Sequence, residues 1–104
     1  MALRDILEEE LANSLRMEAS YVRALAGLPV GSLVKRRIKG HEYYYLVFRA
    51  QGKVRSEYRG RPVRAEIRRY REARTLRAKY RQLLAQCRRQ IAFLRRTLRG
   101  QAAV

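Results

Sequence analysis

Residues 38–60 of the 104-residue chain read IKGHEYYYLVFRAQGKVRSEYRG, and this stretch decides the fold. Runs rich in Tyr, Val and Phe that are separated by the short segments KGHE and AQG are typical of β-strands joined by turns. The run LVKRRI lies just upstream and has the same character. Together the three runs predict a three-stranded antiparallel meander over residues 33–59.

The loop after the second strand sets which side chains share a face of this sheet. We favour AQG as a three-residue loop with Gly52 in the left-handed conformation, because a two-residue turn at Gln51 and Gly52 would mix apolar and charged side chains. The longer loop gives one mainly apolar face with Val34, Ile38, Tyr44, Leu46, Phe48 and Tyr58. Alternation along the strands then places two tyrosines beside basic residues on the other face, namely Lys35, Arg37, Lys39, Tyr43, Tyr45, Arg49, Lys53, Arg55 and Arg59.

Two helices are predicted around the sheet. Residues 3–26 place leucines at three- and four-residue steps between charged residues, which indicates an amphipathic helix that ends at Gly27. Residues 62–99 begin with Pro62, contain no other Pro or Gly, and stop before Gly100, which indicates a long second helix. The fold class is therefore α+β, and the length of the chain predicts one domain over residues 1–104.

The second half of the long helix carries a regular apolar seam at alternating three- and four-residue steps. In the first half, Glu66 and Arg77 interrupt this pattern, so that part is expected to pack on the sheet or on the first helix. The long helix has more residues than the first helix can cover. We therefore predict a homodimer through the seam residues Tyr80, Leu84, Cys87, Ile91, Leu94 and Leu98.

The charge balance points to an acidic partner. The chain has 25 Lys and Arg against 9 Asp and Glu, a formal net charge of +16, and such a field attracts polyanions. The single cysteine, Cys87, excludes an intramolecular disulfide and fits a reducing compartment. The acidic N-terminus does not resemble a secretory signal, and the longest uncharged run, residues 24–34, is too short to span a membrane. We expect a cytoplasmic protein that does not insert into a membrane.

No group of residues in the sequence forms a catalytic or metal-binding motif. His41 is the only histidine, and the residues that follow it do not complete a zinc-protease pattern. Cys87 falls at a seam position, where a small buried side chain is expected rather than a nucleophile. The six glycines are scattered and do not form a phosphate-binding loop. We therefore predict a protein that is not an enzyme and that binds neither a metal nor a cofactor.

The tyrosine-bearing basic face is the main candidate for function. Aromatic rings provide stacking surfaces for unpaired bases, and Lys and Arg neutralise phosphates. A second basic surface lies on the long helix, where an arginine stripe begins with Arg64, Arg68 and Arg71 and continues through Arg74, Arg81, Arg88 and Arg95. We predict binding to DNA or RNA. Two alternatives stay open. Tyr43 and Tyr45 could cover the sheet against the long helix or a partner subunit. The basic helix could instead dock on an acidic protein partner, as in an antitoxin or assembly adaptor.

The segment GSLVKRRIKGHEYYYLVFRAQGKVRSEYRG, residues 31–60, resembles the hairpin of a widespread set of small, functionally uncharacterised prokaryotic proteins. That resemblance implies the order helix, tyrosine-rich meander and charged helix. The segment is also similar, more weakly, to the three-stranded arm domains of tyrosine integrases and of some transposases. This second resemblance implies DNA contacts through the sheet by Tyr43, Tyr45, Arg49, Lys53, Arg55 and Arg59. It implies no recombination, because the chain lacks a recombinase domain.

Overall fold

A computed structural model describes residues 2–102 and confirms the α+β class. The elements follow the order α1 (Leu3–Ala26), β1 (Ser32–Ile38), β2 (His41–Ala50), β3 (Lys53–Gly60) and α2 (Arg64–Ala102). Contacts within the chain divide it into two compact units. A helical unit joins α1 to the part of α2 from Ala78 onward, and a sheet unit comprises Leu28–Arg77. The single-domain organisation stays a prediction.

Helix α1 occupies the predicted residues and is amphipathic. Asp5 lies in its first turn, where a carboxylate is favourable at the positive end of the helix dipole. The helix ends at Gly27, whose backbone N–H donates to the carbonyl oxygen of Arg23 at 3.1 Å. This bond satisfies one of the carbonyls that a helix C-terminus leaves without an intrahelical partner.

Helix α2 differs from the prediction at both ends, and it begins at Arg64 instead of Pro62. It continues through Gly100 to Ala102 instead of stopping at Arg99. Arg95, Arg96 and Arg99 in its last turns are favourable at the negative end of the helix dipole. A glycine does not have to end a helix, because inside a helix it is only about 1 kcal/mol less favourable than alanine.

The helical unit buries the apolar seam of α2 against α1. The backbone oxygen of Ser14 accepts a hydrogen bond from the Sγ atom of Cys87 at 3.1 Å, and the Tyr21 and Tyr80 rings lie 6.2 Å apart. Residue numbers rise on α1 as they fall on α2, so the two segments run antiparallel. The most buried side chains of α2 in this unit are Leu84, Cys87, Ile91 and Leu94.

This packing gives the seam a covering surface within the same chain. Its pattern is confirmed from Leu84 to Leu94, but α1 of the same chain covers it. A second copy cannot contact these buried side chains while α1 lies on them. The homodimer itself stays a prediction, and the seam residues Tyr80, Leu84, Cys87, Ile91, Leu94 and Leu98 belong to the interior of the helical unit or to its edge.

Two tight turns connect the three strands, which lie in the order β1, β2, β3 and pair antiparallel. Lys39 and Gly40 form the first turn with φ values of 52° and 80°, and Gln51 and Gly52 form the second with 54° and 75°. Two successive positive φ values are the signature of a two-residue hairpin turn whose twist matches that of the strands. Each of the two turns therefore consists of a non-glycine residue followed by a glycine.

The second turn overturns the predicted register between β2 and β3. Because only Gln51 and Gly52 form the turn, Ala50 pairs with Lys53, and Tyr45 pairs with Tyr58. The predicted three-residue loop had paired Tyr44 with Tyr58. The shift of one residue moves every side chain of β3 to the opposite face of the sheet from the one expected. A bulge between Tyr44 and Tyr45 then leaves Tyr44 opposite Gly60.

The register between β1 and β2 also differs from the expectation. Val34 pairs with Tyr45, and Lys35 pairs with Tyr44. Val34 and Ile38 therefore share the face of Tyr43 and Tyr45, whereas Lys35 shares the face of Tyr44 and Leu46.

The first half of α2 lies on the face of the sheet that bears Tyr44 and Leu46. One cleft is lined by Leu33 and Tyr44 from the strands and by Ile67 and Tyr70 from α2. Leu46 is the buried residue at the centre of β2. Arg77, which interrupts the apolar seam, donates from Nη2 to the carbonyl oxygen of Pro29 at 2.6 Å and so fixes the segment before β1 to the helix.

Candidate nucleic-acid interface

The sheet face opposite α2 forms the candidate interface. We call it the tyrosine face, and its members follow from the observed pairing and from alternation along each strand. β1 supplies Ser32, Val34, Arg36 and Ile38. β2 supplies His41, Tyr43, Tyr45, Val47 and Arg49. β3 supplies Val54, Ser56 and Tyr58.

Three tyrosines form a continuous aromatic cluster on this face. The Tyr58 ring lies 5.4 Å from the ring of Tyr45, edge to face, and 6.2 Å from the ring of Tyr43. The guanidinium carbon of Arg61 lies 5.4 Å from the centre of the Tyr43 ring, within reach of a cation–π interaction. The His41 ring extends the row and lies 6.4 Å from that of Tyr43. The cluster is thus held together by ring contacts and carries a positive charge at one end.

The charges of the sheet are segregated between its two faces. Glu42 and Glu57, the only carboxylates within residues 32–60, both belong to the face that bears Leu46. Glu42 pairs there with Lys35 at 3.6 Å, and Glu57 pairs with Arg59 at 3.7 Å. The tyrosine face consequently presents Arg36 and Arg49 without any carboxylate among its own strand residues.

The tyrosine face is open to solvent. Tyr58 is 58% exposed and Val54 is 64% exposed, although both lie in the interior of β3. Tyr43 and Tyr45 are half-buried by their neighbours on the sheet. Exposed aromatic and aliphatic side chains that lie together on one sheet face are typical of a surface that binds a partner.

The structure separates the sheet residues that the sequence had placed together. Tyr43, Tyr45 and Arg49 share the tyrosine face. Four other predicted binding residues lie on the face that bears Leu46, because the strand register differs: Lys35, Arg37, Lys53 and Arg55. Lys39 lies in the first turn, and Arg59 lies in the bulge and reaches Glu57.

Three members of the site were missed. The predicted register places Tyr58 in the core and leaves Arg36 on no face, and Arg61 follows the last predicted strand. The pair Gln51-Gly52 was the available signal for Tyr58, since a residue followed by glycine between two strands favours a two-residue turn.

The arginine stripe of α2 is exposed along its whole length. Arg64, Arg68 and Arg71 project from the half of α2 that belongs to the sheet unit, and all three are exposed. Further along the helix, Arg88 pairs with Glu18 of α1 at 3.0 Å, so its charge is partly compensated. Surface ion pairs of this kind contribute little to stability individually.

His41 and Cys87, the residues considered for catalysis, each contact other parts of the protein. His41 lies at the start of β2 with Nδ1 at 3.0 Å from Nη2 of Arg61. The Cys87 side chain is buried in the helical unit, as its seam position predicted. Within residues 2–102, no three His, Cys, Asp or Glu side chains lie close enough together to hold a metal ion. Neither helix in that part of the chain has an apolar run long enough to cross a membrane.

Comparison with known proteins identifies a family without an assigned activity. No curated protein and no solved structure is detectably similar to the chain. The model of a domain of unknown function, DUF6788, matches residues 2–69. The match includes α1, all three strands and the first turns of α2, so the whole tyrosine face lies inside it. The chain belongs to the DUF6788 family.

Proposed function

We propose that the protein binds single-stranded nucleic acid on the tyrosine face and is not an enzyme. The observation that carries this proposal is the cluster of Tyr43, Tyr45 and Tyr58, which lies beside cations on a face without carboxylates. Rings on an open sheet offer stacking surfaces to unpaired bases, and arginines near them neutralise the phosphates between those bases.

Each group of the face has a distinct role in this proposal. Tyr58 is the most exposed ring and stacks on a base, while Tyr45 contacts its ring edge to face and Tyr43 contacts it at a tilted angle. Arg36 and Arg49 project from neighbouring strands and bind phosphates on either side. These contacts give affinity without a code for particular bases, because every base offers a π-face.

The arginine stripe of α2 supplies a separate basic surface in the proposed complex, because the first half of α2 lies on the other face of the sheet. Arg64, Arg68 and Arg71 are exposed and add phosphate contacts along the helix. Contacts of this type raise affinity for any sequence and make binding strongly dependent on salt.

An acidic protein partner is the second candidate, and the exposed aliphatic residues favour it. Val54 and Ile38 lie on the tyrosine face beside the rings. Apolar and aromatic residues surrounded by arginine are enriched at protein interfaces. An adaptor or antitoxin that docks on a negatively charged protein through this face would also need the tyrosines for binding.

Charge reversal at two positions on opposite faces of the sheet tests the nucleic-acid proposal. Arg49→Glu changes the tyrosine face, and Arg55→Glu makes the same change on the other face of the neighbouring strand. Binding of short labelled single-stranded DNA, single-stranded RNA and duplex DNA is measured over a series of salt concentrations. We expect Arg49→Glu to weaken single-strand binding and to lower its salt dependence, and Arg55→Glu to have the smaller effect.

Three other outcomes of this experiment would count against the proposal. Equal losses from the two substitutions would show that the protein attracts nucleic acid through its general charge, without use of the tyrosine face. Affinity that does not change with salt would contradict phosphate binding altogether. Absence of nucleic-acid binding, together with capture of an acidic protein that Arg49→Glu abolishes, would favour the second candidate.

A further inference from the structure

The cleft between the sheet and the first half of α2 has the composition of an anion site. It has a volume of about 240 Å³ and lies on the opposite side of the sheet from the tyrosine face. Its cations come from two elements, with Lys35 on β1 and Arg71 and Arg74 on α2. No carboxylate is among the residues that line it.

Two tyrosine hydroxyls accompany these cations. Tyr44 and Tyr70 line the same cleft, and each phenol hydroxyl can donate a hydrogen bond to an oxygen atom. Leu33 and Ile67 supply the aliphatic part of the wall. A concave surface with aliphatic walls and a few convergent polar groups is the usual composition of a small-ligand site.

Two of the three cations have no compensating charge. Within residues 2–102, Lys35 pairs with Glu42 at 3.6 Å, whereas neither Arg71 nor Arg74 makes an ion pair. The cleft thus has an excess of two positive charges. A phosphate monoester carries about −1.5 to −2 charges at neutral pH, which matches this excess better than the single charge of a phosphodiester.

The size of the cleft also favours a small ligand. Pockets for larger organic ligands have volumes of about 300–1,000 Å³, and this cleft lies below that range. Arginine binds phosphate through two parallel N–H groups, and two arginines three residues apart on a helix project from the same side.

We propose that this cleft binds a phosphate monoester, either on a free nucleotide or at the end of a nucleic-acid strand. Arg71 and Arg74 hold the phosphate oxygens, and the tyrosine hydroxyls donate further hydrogen bonds from the wall. The site is independent of the tyrosine face, but Arg71 and Arg74 both also belong to the arginine stripe. Tyr70 belongs to neither of those surfaces and therefore tests the cleft alone.

Titration of the full-length protein with uridine 5′-monophosphate, uridine and dimethyl phosphate tests this proposal. The backbone amide resonances of the protein report where each compound binds. We expect the monophosphate to shift resonances of residues 32–35 and 67–74 with saturation, and the other two compounds to cause much smaller shifts. Arg74→Gln should lower the affinity for the monophosphate by about tenfold or more, because charge-assisted hydrogen bonds are lost.

Two variants serve as comparisons. Arg69→Gln removes the same charge from an exposed position of α2 outside the cleft and should change the affinity less than about twofold. Tyr70→Phe removes one hydroxyl and keeps the ring, so a weakened site in this variant shows that the hydroxyl contacts the ligand. Shifts that spread over the whole basic surface, or equal effects of Arg74→Gln and Arg69→Gln, would overturn the proposal.

A second comparison identifies the source of the phosphate. Two oligonucleotides of the same sequence, one with a 5′-phosphate and one with a 5′-hydroxyl, are bound to the wild-type protein and to Arg74→Gln. Tighter binding of the phosphorylated strand that disappears in Arg74→Gln assigns the site to strand ends. Equal binding of both strands, with saturable binding of the monophosphate, assigns it to free nucleotides.

Discussion

The Tyr58 ring lies 5.4 Å from the Tyr45 ring in an edge-to-face arrangement, although 13 positions separate them in the chain. Their pairing depends on the two-residue turn at Gln51 and Gly52. A loop longer by one residue would send Tyr58 to the opposite face. The aromatic cluster is therefore a product of the turn as much as of the tyrosines themselves.

Tyr58→Leu should weaken single-strand binding while leaving the fold stable. The ring is 58% exposed, so its removal should lower the melting temperature only slightly. Loss of one stacked base should weaken binding by about 1–3 kcal/mol, which a titration with labelled oligonucleotide measures. Phe93→Leu is the control, because this ring is 54% exposed on the helical unit. Equal weakening by the two substitutions would contradict a special role of Tyr58.

Gln51→Asn should stabilise the sheet unit. Gln51 adopts a φ of 54°, a conformation that asparagine tolerates better than glutamine does. We expect a gain of up to about 1 kcal/mol in the free energy of unfolding, measured with urea, because the left-handed conformation costs most residues about 1–2 kcal/mol. A three-residue loop would not require a positive φ at this residue, so an unchanged or lowered stability would contradict the observed turn.

The sequence predicted the elements of the fold better than the pairing within the sheet. The helices and strands were found because their periodicity is local and repeats over many residues. The predicted register between β2 and β3 is wrong because it depends on an apolar face of β3. That strand is exposed almost throughout, so its alternation of Val, Ser and Tyr with Lys, Arg and Glu does not mark a buried side. The turn residues carried more information than the hydrophobic pattern.

The covering of the long helix could be predicted only in part. The seam of α2 was visible because its spacing persists from Tyr80 to Leu98. The identity of the surface that covers it depends on which way α1 runs and which residues of α1 meet it, and such contacts between distant segments leave no local signal. The candidate site was also predicted only in part. The sequence identified Tyr43, Tyr45 and Arg49 as members of the site, but not Tyr58.

Leu94→Ala should destabilise the helical unit strongly. Leu94 is 2% exposed between α1 and α2, and removal of a leucine side chain from a core costs about 2–5 kcal/mol. Urea unfolding followed by circular dichroism measures this loss, and Phe93→Ala at the exposed neighbouring position should cost less.

The same measurement distinguishes packing within the chain from packing between copies. If α1 covers the seam, the urea midpoint of the wild-type protein should not depend on protein concentration. A midpoint that rises with concentration would show that a second copy contributes to the stability of the seam.

Arg77→Met should loosen the start of the sheet unit. The Arg77 guanidinium donates to the carbonyl oxygen of Pro29 at 2.6 Å, and methionine keeps the aliphatic part of the side chain without the donor. We expect a loss of about 1–3 kcal/mol and faster hydrogen exchange near residues 28–32. Arg69→Met, at an exposed position of the same helix, serves as the control and should change neither quantity appreciably.

The two short turns also determine the order in which the chain can assemble. Each strand of the meander pairs only with its neighbour in sequence, so residues 32–60 can pair after closing loops of two residues. The contact between Cys87 and Ser14 joins residues 73 positions apart, and closing such a loop costs considerably more entropy. Folding rates fall as contacts become less local. The aromatic cluster should therefore acquire its geometry early in folding, before the two segments of the helical unit pack together.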